Sequence, residues 1–205
     1  MALHPDGTIW ATGGNKEVRM LNPATSEFKF FEAPSAKTGK LPGSYGLAVA
    51  GDGSVWWAEP LADLMARADP ATGKVDEFKI PDTGRSYPRR MNSDGNGDLW
   101  VANWTSGKLM RIDHKTREMT LYEPPTQTSG HYSVVADKQH NLIWSSEHQV
   151  DMISRLDPKI LEWVEFPLDQ AETDARRIEI DPTNPNRIFF SGHSSGRVGF
   201  IELLP

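Results

Sequence analysis

The sequence predicts an all-β fold, a β-propeller built from repeated four-stranded antiparallel blades. A large aromatic residue recurs about every 45 residues, which is the period of a four-stranded propeller blade. The recurring residues are Trp10, Trp56, Trp100, Trp144 and Phe189. A turn that begins with Asn or Asp, such as 69–72, recurs in step with them. Because two independent markers share one period, about five blades are predicted.

The stretch 45–81 is one complete unit and shows why each strand is predicted. Its four predicted strands are 46–50, 54–59, 61–68 and 75–79. Glycines at 51 and 53 separate the first two strands, because glycine adopts the positive φ that hairpin turns need. The second strand carries Val55, Trp56 and Trp57, which suit a buried pleated surface. The fourth alternates apolar and charged residues, as an exposed outer strand does.

Five units follow one another along the chain. They are predicted at 1–34, 45–81, 89–125, 132–167 and 176–205. The first lacks most of its innermost strand, and the fifth lacks its outer strand. Because a propeller leaves no long strand edge open, we expect this chain to be part of a longer propeller. Its open ends then contact the upstream part of the same propeller or a partner protein chain. The alternative is a five-bladed ring with one three-stranded blade.

Composition narrows the classes of partner. The 205 residues carry a net charge of −6 with a pI near 5.5, which argues against a nucleic-acid partner because such proteins present a basic face. The sequence contains no apolar stretch long enough for a membrane span. It contains no cysteine, which excludes disulfides and thiolate metal sites. We expect no secretory signal at Met1, because a turn follows it directly.

The motifs of the repeat resemble those of the streptogramin B lyase (virginiamycin B lyase-like) family. The resemblance is carried by Val55–Glu59, by the turn Arg67–Lys74 and by Glu77–Pro81, and it extends over nearly the whole chain. Leu99–Asn103 with Arg111–Asp113 repeats the pattern. The resemblance implies a seven-bladed propeller, of which these five units are the C-terminal part.

The resemblance also implies a chemistry that this chain does not match residue by residue. The family's lyases open macrocyclic depsipeptides by a magnesium-assisted elimination, with histidines at the start of inner strands and a glutamate beyond a second-strand tryptophan. The positions that match the histidines are Tyr45, Arg89, Tyr132 and Arg176, and the glutamate position falls near Gly192-His193. None of the four is histidine, and arginine cannot act as a general base.

The same four positions are candidates for a ligand site. An antiparallel hairpin places the start of the first strand and the end of the second at one rim of the channel. The predicted ligand-binding residues are Tyr45, Arg89, Tyr132, Arg176, His148 and His193. Arg89 and Arg176 are suited to hold an anionic or carbonyl-rich ligand through their fork of N–H groups. The alternative is a solvated rim in which both arginines form salt bridges with Glu59 and Glu147.

A metal site is a further candidate. Glu59, Asn103 and Glu147 lie three residues beyond the tryptophans of successive blades. Their side-chain oxygens are the ligands that Mg²⁺ and Ca²⁺ prefer, and lactonase propellers hold a divalent ion in such a channel. The alternative is that a wide ring keeps the three side chains apart.

Two functions follow from this pattern. The absent histidines favour a streptogramin lyase-like propeller that binds a ligand or a protein and is not catalytic in this segment. The alternative is a metal-dependent lyase or lactonase-type enzyme with its site at the mouth of the central channel. Under either function a periplasmic or secreted location is expected.

Overall fold

The structure, a computed structural model, describes residues 1–204 and consists of five antiparallel sheets. The first contains β1 (Ala2–Leu3), β2 (Ile9–Thr12), β3 (Glu17–Asn22) and β4 (Glu27–Glu32). The second contains β5 (Leu47–Val49), β6 (Val55–Glu59), β7 (Leu64–Ala68) and β8 (Val75–Lys79). The third contains β9 (Pro88–Ser93), β10 (Leu99–Asn103), β11 (Lys108–Ile112) and β12 (Met119–Tyr122). The fourth contains β13 (His131–Asp137), β14 (Leu142–Glu147), β15 (Met152–Asp157) and β16 (Glu162–Pro167), and the fifth contains β17 (Ala175–Ile180), β18 (Arg187–Gly192) and β19 (Val198–Glu202).

Each sheet is a propeller blade whose strands pair with their neighbours in chain order. The first strands of successive blades contact one another, and together they surround a central cavity of about 290 Å³. The predicted all-β propeller is therefore confirmed. The helix α1 (Pro34–Lys37), a single turn, links blades one and two. Within residues 1–204, no helix has the length and apolar character that crossing a membrane requires.

Tight turns account for the regular spacing of the strands. Between the first and second strands, Gly7, Gly53 and Gly97 have φ values of +89°, +79° and +88°. Glycine takes this conformation without the steric cost that a side chain would add. In the turn between β7 and β8, Oδ1 of Asp69 accepts a hydrogen bond of 2.9 Å from the backbone N–H of Ala71. These interactions are local to each hairpin.

The recurring tryptophans fill the gaps between blades. All four are buried, and each belongs to the hydrophobic cluster that its own blade forms with the next. Each indole also packs on an aromatic ring of its own outer strand. The four ring pairs, with centroid distances, are Trp10–Phe31 at 4.6 Å, Trp56–Phe78 at 5.0 Å, Trp100–Tyr122 at 5.2 Å and Trp144–Phe166 at 5.6 Å. Trp56, Trp100 and Trp144 therefore lie between neighbouring sheets.

Blades one and five each expose an apolar face. In blade five, Phe189 occupies the position of the recurring tryptophan and is 38% exposed, and Phe200 beside it is 53% exposed. In blade one, Phe28 and Phe30 are similarly exposed on the face that points away from blade two. The hydrophobic clusters of residues 1–204 fill the four gaps between successive blades, and none of them joins blade five to blade one.

Candidate functional site

The four predicted rim residues meet at one end of the central cavity. Arg89, Tyr132 and Arg176 are each the second residue of a first strand, in β9, β13 and β17, and Tyr45 lies just before β5. Because the first strands lie side by side, their equivalent ends converge. The hydroxyl oxygens of Tyr45 and Tyr132 are 2.6 Å apart although blade three lies between their blades in the chain. The structure therefore brings these residues together.

The guanidinium group of Arg89 lies at the centre of this group, surrounded by aromatic rings. Its Cζ atom is 4.9 Å from the ring centroid of Tyr45 and 5.0 Å from that of Tyr132. Two further rings also lie around it: Cζ is 4.4 Å from the ring centroid of Tyr87 and 5.2 Å from that of Trp104. Aromatic faces attract a cation through the ring quadrupole. We call Arg89 with these four rings the aromatic cage.

No carboxylate of residues 1–204 neutralises Arg89. Among residues 1–204 its side chain forms no ion pair and donates no hydrogen bond, and its Nε is buried without a partner. The rings surround the guanidinium, and its N–H groups direct hydrogen bonds outward in its plane. The cage therefore holds a cation whose hydrogen-bonding edges have no acceptor within the described chain.

Arg176 and His148 extend the cage towards blade five. The guanidinium Cζ of Arg176 is 5.0 Å from the ring centroid of Tyr132, and its Nε donates a hydrogen bond of 3.0 Å to Nε2 of His148. The imidazole of His148 stacks on Tyr132 with 5.4 Å between ring centroids. Burial is the largest influence on the pKa of His148 and lowers it, so the ring is neutral and can accept this hydrogen bond.

His193 lies at the edge of the site rather than within it. Its side chain is exposed, and its Nδ1 is 3.3 Å from the hydroxyl oxygen of the adjacent Ser194. Its backbone N–H donates a hydrogen bond of 3.0 Å to the carbonyl oxygen of Asp174, which places it next to the start of β17. Of the six predicted ligand-binding residues, five form one contiguous group and His193 flanks it.

Glu59 and Glu147 are fully buried and point into the gaps between blades. The Oε1 atom of Glu59 accepts a hydrogen bond of 3.1 Å from Nε1 of Trp57, whose ring packs against blade one. Burial, together with the nearby charge of Glu77, raises the pKa of Glu59 to about 8. Burial and Glu165 likewise raise the pKa of Glu147 to about 7. Within residues 1–204 neither glutamate pairs with a rim arginine, so the salt-bridged rim is not what the structure contains.

The residues predicted as metal ligands are not brought together. Asn103 is fully buried, and by strand alternation it shares the face of Val101, which packs between blades two and three. Glu59 lies between blades one and two, and Glu147 between blades three and four. In the described chain, no group of three His, Asp or Glu side chains has the spacing to hold a metal ion. The three residues therefore do not fit a shared Mg²⁺ or Ca²⁺.

Sequence reasoning missed Tyr87 and Trp104 of the cage. Tyr87 is in the left-handed region, with φ of +53°, a strained conformation for a residue with a side chain. The carboxylate of Asp63 secures it by accepting a hydrogen bond of 2.7 Å from its backbone N–H. Trp104 follows the end of β10 and enters the cage from the next turn. Two sequence features could have pointed to these residues. Pro88 directly follows Tyr87, and Trp104 is a second tryptophan in blade three.

His131 directly precedes Tyr132, one of the four positions that match the histidines of the family's lyases, but its side chain lies inside the protein. It is fully buried, and burial lowers its pKa to about 3. Its Nδ1 contacts the hydroxyl of Ser145, and its Nε2 is 4.0 Å from Oε1 of Glu147. This imidazole is therefore neutral and out of reach of a ligand at the channel mouth.

Comparison with known proteins places the chain in a family. The model of the virginiamycin B lyase family matches residues 1–203. Virginiamycin B lyase from Staphylococcus aureus is 19% identical with a TM-score of 0.82, and the match covers 98% of this chain and 68% of that enzyme. No curated protein sequence matches significantly.

Two other solved structures share the fold at a greater distance. One is the extracellular domain assigned to a hybrid two-component system of B. thetaiotaomicron, with a TM-score of 0.72, 19% identity and coverage of 97% of this chain and 26% of that one. The other, from Bacteroides uniformis, is assigned as a 6-phosphogluconolactonase, with a TM-score of 0.67, 15% identity and coverage of 94% and 65%. At these identities the likeness concerns the fold alone. The family match over nearly the whole sequence shows that this chain belongs to the virginiamycin B lyase family.

Proposed function

We propose that this chain is a non-catalytic propeller module that binds an anionic or carbonyl-rich ligand at the mouth of its central channel. The observation that supports this function is the aromatic cage, in which Arg89 has no acceptor for its N–H groups within residues 1–204. A partly buried cation without an acceptor is unfavourable unless another group compensates for its desolvation. The rings supply part of this compensation, and a ligand oxygen would supply the rest.

The cage is also organised in advance of binding. Tyr45 and Tyr132 are joined by their hydroxyl groups, and Asp63 secures Tyr87 through its backbone. A guanidinium held between rings retains little freedom to lose when a ligand arrives, which favours affinity. Arginine binds carboxylate, phosphate and carbonyl oxygens through two N–H groups at once.

The proposal is tested by the thermal stabilisation that a panel of small anions and neutral carbonyl compounds produces. A ligand that binds only the folded state raises Tm. We expect at least one compound to stabilise the wild-type chain and to lose this effect in Arg89→Met. Arg155→Met is the matched control, since Arg155 also lies over an aromatic ring, Trp144 at 5.9 Å, but outside the cage. The proposal fails if no compound stabilises the protein or if both variants behave alike.

The catalytic alternative is not favoured by the positions of the acidic residues and histidines. A metal-assisted elimination or lactone hydrolysis needs oxygen ligands that share an ion and a base that reaches the substrate. Glu59, Asn103 and Glu147 lie in separate gaps, and His131 is fully buried. We therefore expect no ring-opened product when streptogramin B is incubated with this chain, with or without Mg²⁺. Product above a control without protein would overturn this expectation.

We also propose that the exposed faces of blades one and five pack against further protein, either more blades of the same propeller or a partner chain. The support is the exposure of Phe28, Phe30, Phe189 and Phe200 at positions whose equivalents in the other blades are buried or half-buried. The isolated chain is expected to self-associate through these faces in light scattering, and Phe30→Ser with Phe200→Ser to reduce this. A monomeric wild-type chain at high concentration would contradict the proposal.

A periplasmic or secreted location is the compartment we propose. The likeness of fold to an extracellular domain is compatible with it. Fractionation of the native cells with an antibody to this chain tests the location, and recovery with the cytoplasmic fraction would refute it.

A further inference from the structure

The mouth of the channel has an excess of positive charge that the rest of the chain does not share. The chain as a whole is acidic, with a net charge of −6. Arg85, Arg89, Arg90 and Arg176 nevertheless lie beside the rings of Tyr45, Tyr87 and Tyr132. Within residues 1–204 none of these four arginines forms an ion pair with a carboxylate. The excess positive charge is therefore confined to the mouth of the channel, where an anionic ligand could neutralise it.

The acidic groups nearest to the mouth are engaged elsewhere. Glu59 and Glu147 point into the gaps between blades. The carboxylate of Asp63 accepts hydrogen bonds from the backbone N–H groups of Ser86 and Tyr87. Asp174 approaches Nε2 of His148 at 4.0 Å rather than an arginine. None of the four is placed to neutralise Arg89 or Arg176.

Arg89 and Arg176 occupy equivalent positions in the two strands that flank the strand of Tyr132. Each is the second residue of its strand, with Tyr132 at the same position of the strand between them. The Cζ atom of each guanidinium is 5.0 Å from the centroid of the Tyr132 ring. Arg176 uses its Nε for His148, which leaves both of its terminal amino groups available. The site thus presents two forks for oxyanions beside one aromatic ring.

Aromatic rings border the two arginines. The rings of Tyr87 and Trp104 are half-buried and tilted by 50° to each other, with 5.8 Å between their centroids. The guanidinium groups of Arg85 and Arg89 both lie over the Tyr87 ring, at 4.6 Å and 4.4 Å from its centroid. A ligand at the mouth therefore meets cations that are held against aromatic rings.

From these features, and on the basis of the binding function proposed above, we infer that the ligand carries two carboxylate groups. One carboxylate accepts hydrogen bonds from Arg89 and the other from Arg176, each through two N–H groups. A phosphate dianion presents the same oxyanion chemistry to the forks but as a single compact group, so it serves as the discriminating comparison.

Titration calorimetry with four probes tests this inference. The probes are isophthalate, with two carboxylates on a benzene ring, benzoate with one, isophthalamide with none, and inorganic phosphate. We expect isophthalate to bind at least about tenfold more tightly than benzoate, since a second charge-assisted contact adds more than about 1.4 kcal/mol. Phosphate is expected to be weaker than isophthalate, and isophthalamide weakest. Added salt is expected to weaken isophthalate most.

Variants separate this inference from the binding function on which it rests. Arg89→Met and Arg176→Met are each expected to reduce isophthalate affinity to about that of benzoate, whereas Arg155→Met has no effect. Equal binding of isophthalate and benzoate by the wild-type chain would refute the two-carboxylate inference but leave the binding function intact. Tighter binding of phosphate or isophthalamide than of isophthalate would do the same. Failure of every compound to bind at the mouth would refute both.

Discussion

The gap between blades four and five and the exposed face of blade five show what the repeated aromatic residue does. Trp144 lies in the gap and is 1% exposed, whereas Phe189, at the same position of the next blade, is 38% exposed. Trp144 also stacks on Phe166 of its outer strand, while Phe189 meets Phe200 edge to face at 6.1 Å. The residue is placed to pack against a following blade. Its burial therefore reports whether that blade is present.

The largest effect is expected from removing an aromatic ring inside a gap. Trp100 is fully buried between blades three and four and packs against Tyr122. Trp100→Ala should lower the free energy of unfolding by about 3–5 kcal/mol, because it removes buried apolar surface and leaves a cavity. Urea denaturation measures this loss. A loss of unfolding free energy below about 1 kcal/mol would mean that the neighbouring side chains fill the cavity, which would contradict rigid packing between the blades.

Much of this fold follows from the sequence for a physical reason. A blade needs one large aromatic residue per gap and a tight turn at each hairpin, and both leave a regular spacing. The rim residues Tyr45, Arg89, Tyr132 and Arg176 were predictable in the same way, because strand order places equivalent ends together. The repeat alone could not give Tyr87 and Trp104. They reach the cage from loops whose conformation depends on one contact with Asp63 and on the chain path after β10.

The structure separates the three predicted metal ligands for a reason that strand geometry explains. Residues two apart in a strand share a face, so Glu59 must lie on the face of Trp57. That face packs against blade one, and the glutamate enters the same gap. Counting residues from the tryptophan placed Glu59 at the correct end of its strand but on the wrong side of the blade. Asn103 and Glu147 follow the same rule.

A second, smaller effect concerns the carboxyl group that the gap between blades one and two buries. Folding raises the pKa of Glu59 from its usual 4.5 to about 8, chiefly through burial. The folded state therefore retains a proton that the unfolded chain has lost, and stability falls as the pH rises from about 4.5 to about 8. At about 1.4 kcal/mol per pKa unit, this rise corresponds to at most about 5 kcal/mol. Because local relaxation and water entry reduce the cost of ionising a buried carboxyl group, we expect Glu59 to contribute a loss of about 1–3 kcal/mol over this range. Denaturant titrations at a series of pH values measure it.

Glu59→Gln is the control for this pH dependence, because glutamine has a similar shape and does not titrate. The variant should resemble the wild type near pH 4.5 and be more stable than it near pH 8. Glu147→Gln should act in the same direction, with a smaller difference because the pKa of Glu147 rises only to about 7. Identical pH profiles for the wild type and Glu59→Gln would show that the group ionises in the folded state without cost.

The smallest effect is expected at the open face, where Phe189→Ala should lower the free energy of unfolding by less than about 1 kcal/mol. Its ring has solvent on one side, so truncation loses only part of the transfer free energy of the side chain and leaves no closed cavity. The same substitution at Trp144 removes a ring that is enclosed by blade five. Urea denaturation of both variants at low protein concentration measures the difference, and Phe200→Ala is a second test of the same face. A cost at Phe189 equal to that at Trp144 would mean that the face is covered in the isolated chain, by self-association or by blade one. Light scattering on the same samples would then distinguish these two arrangements.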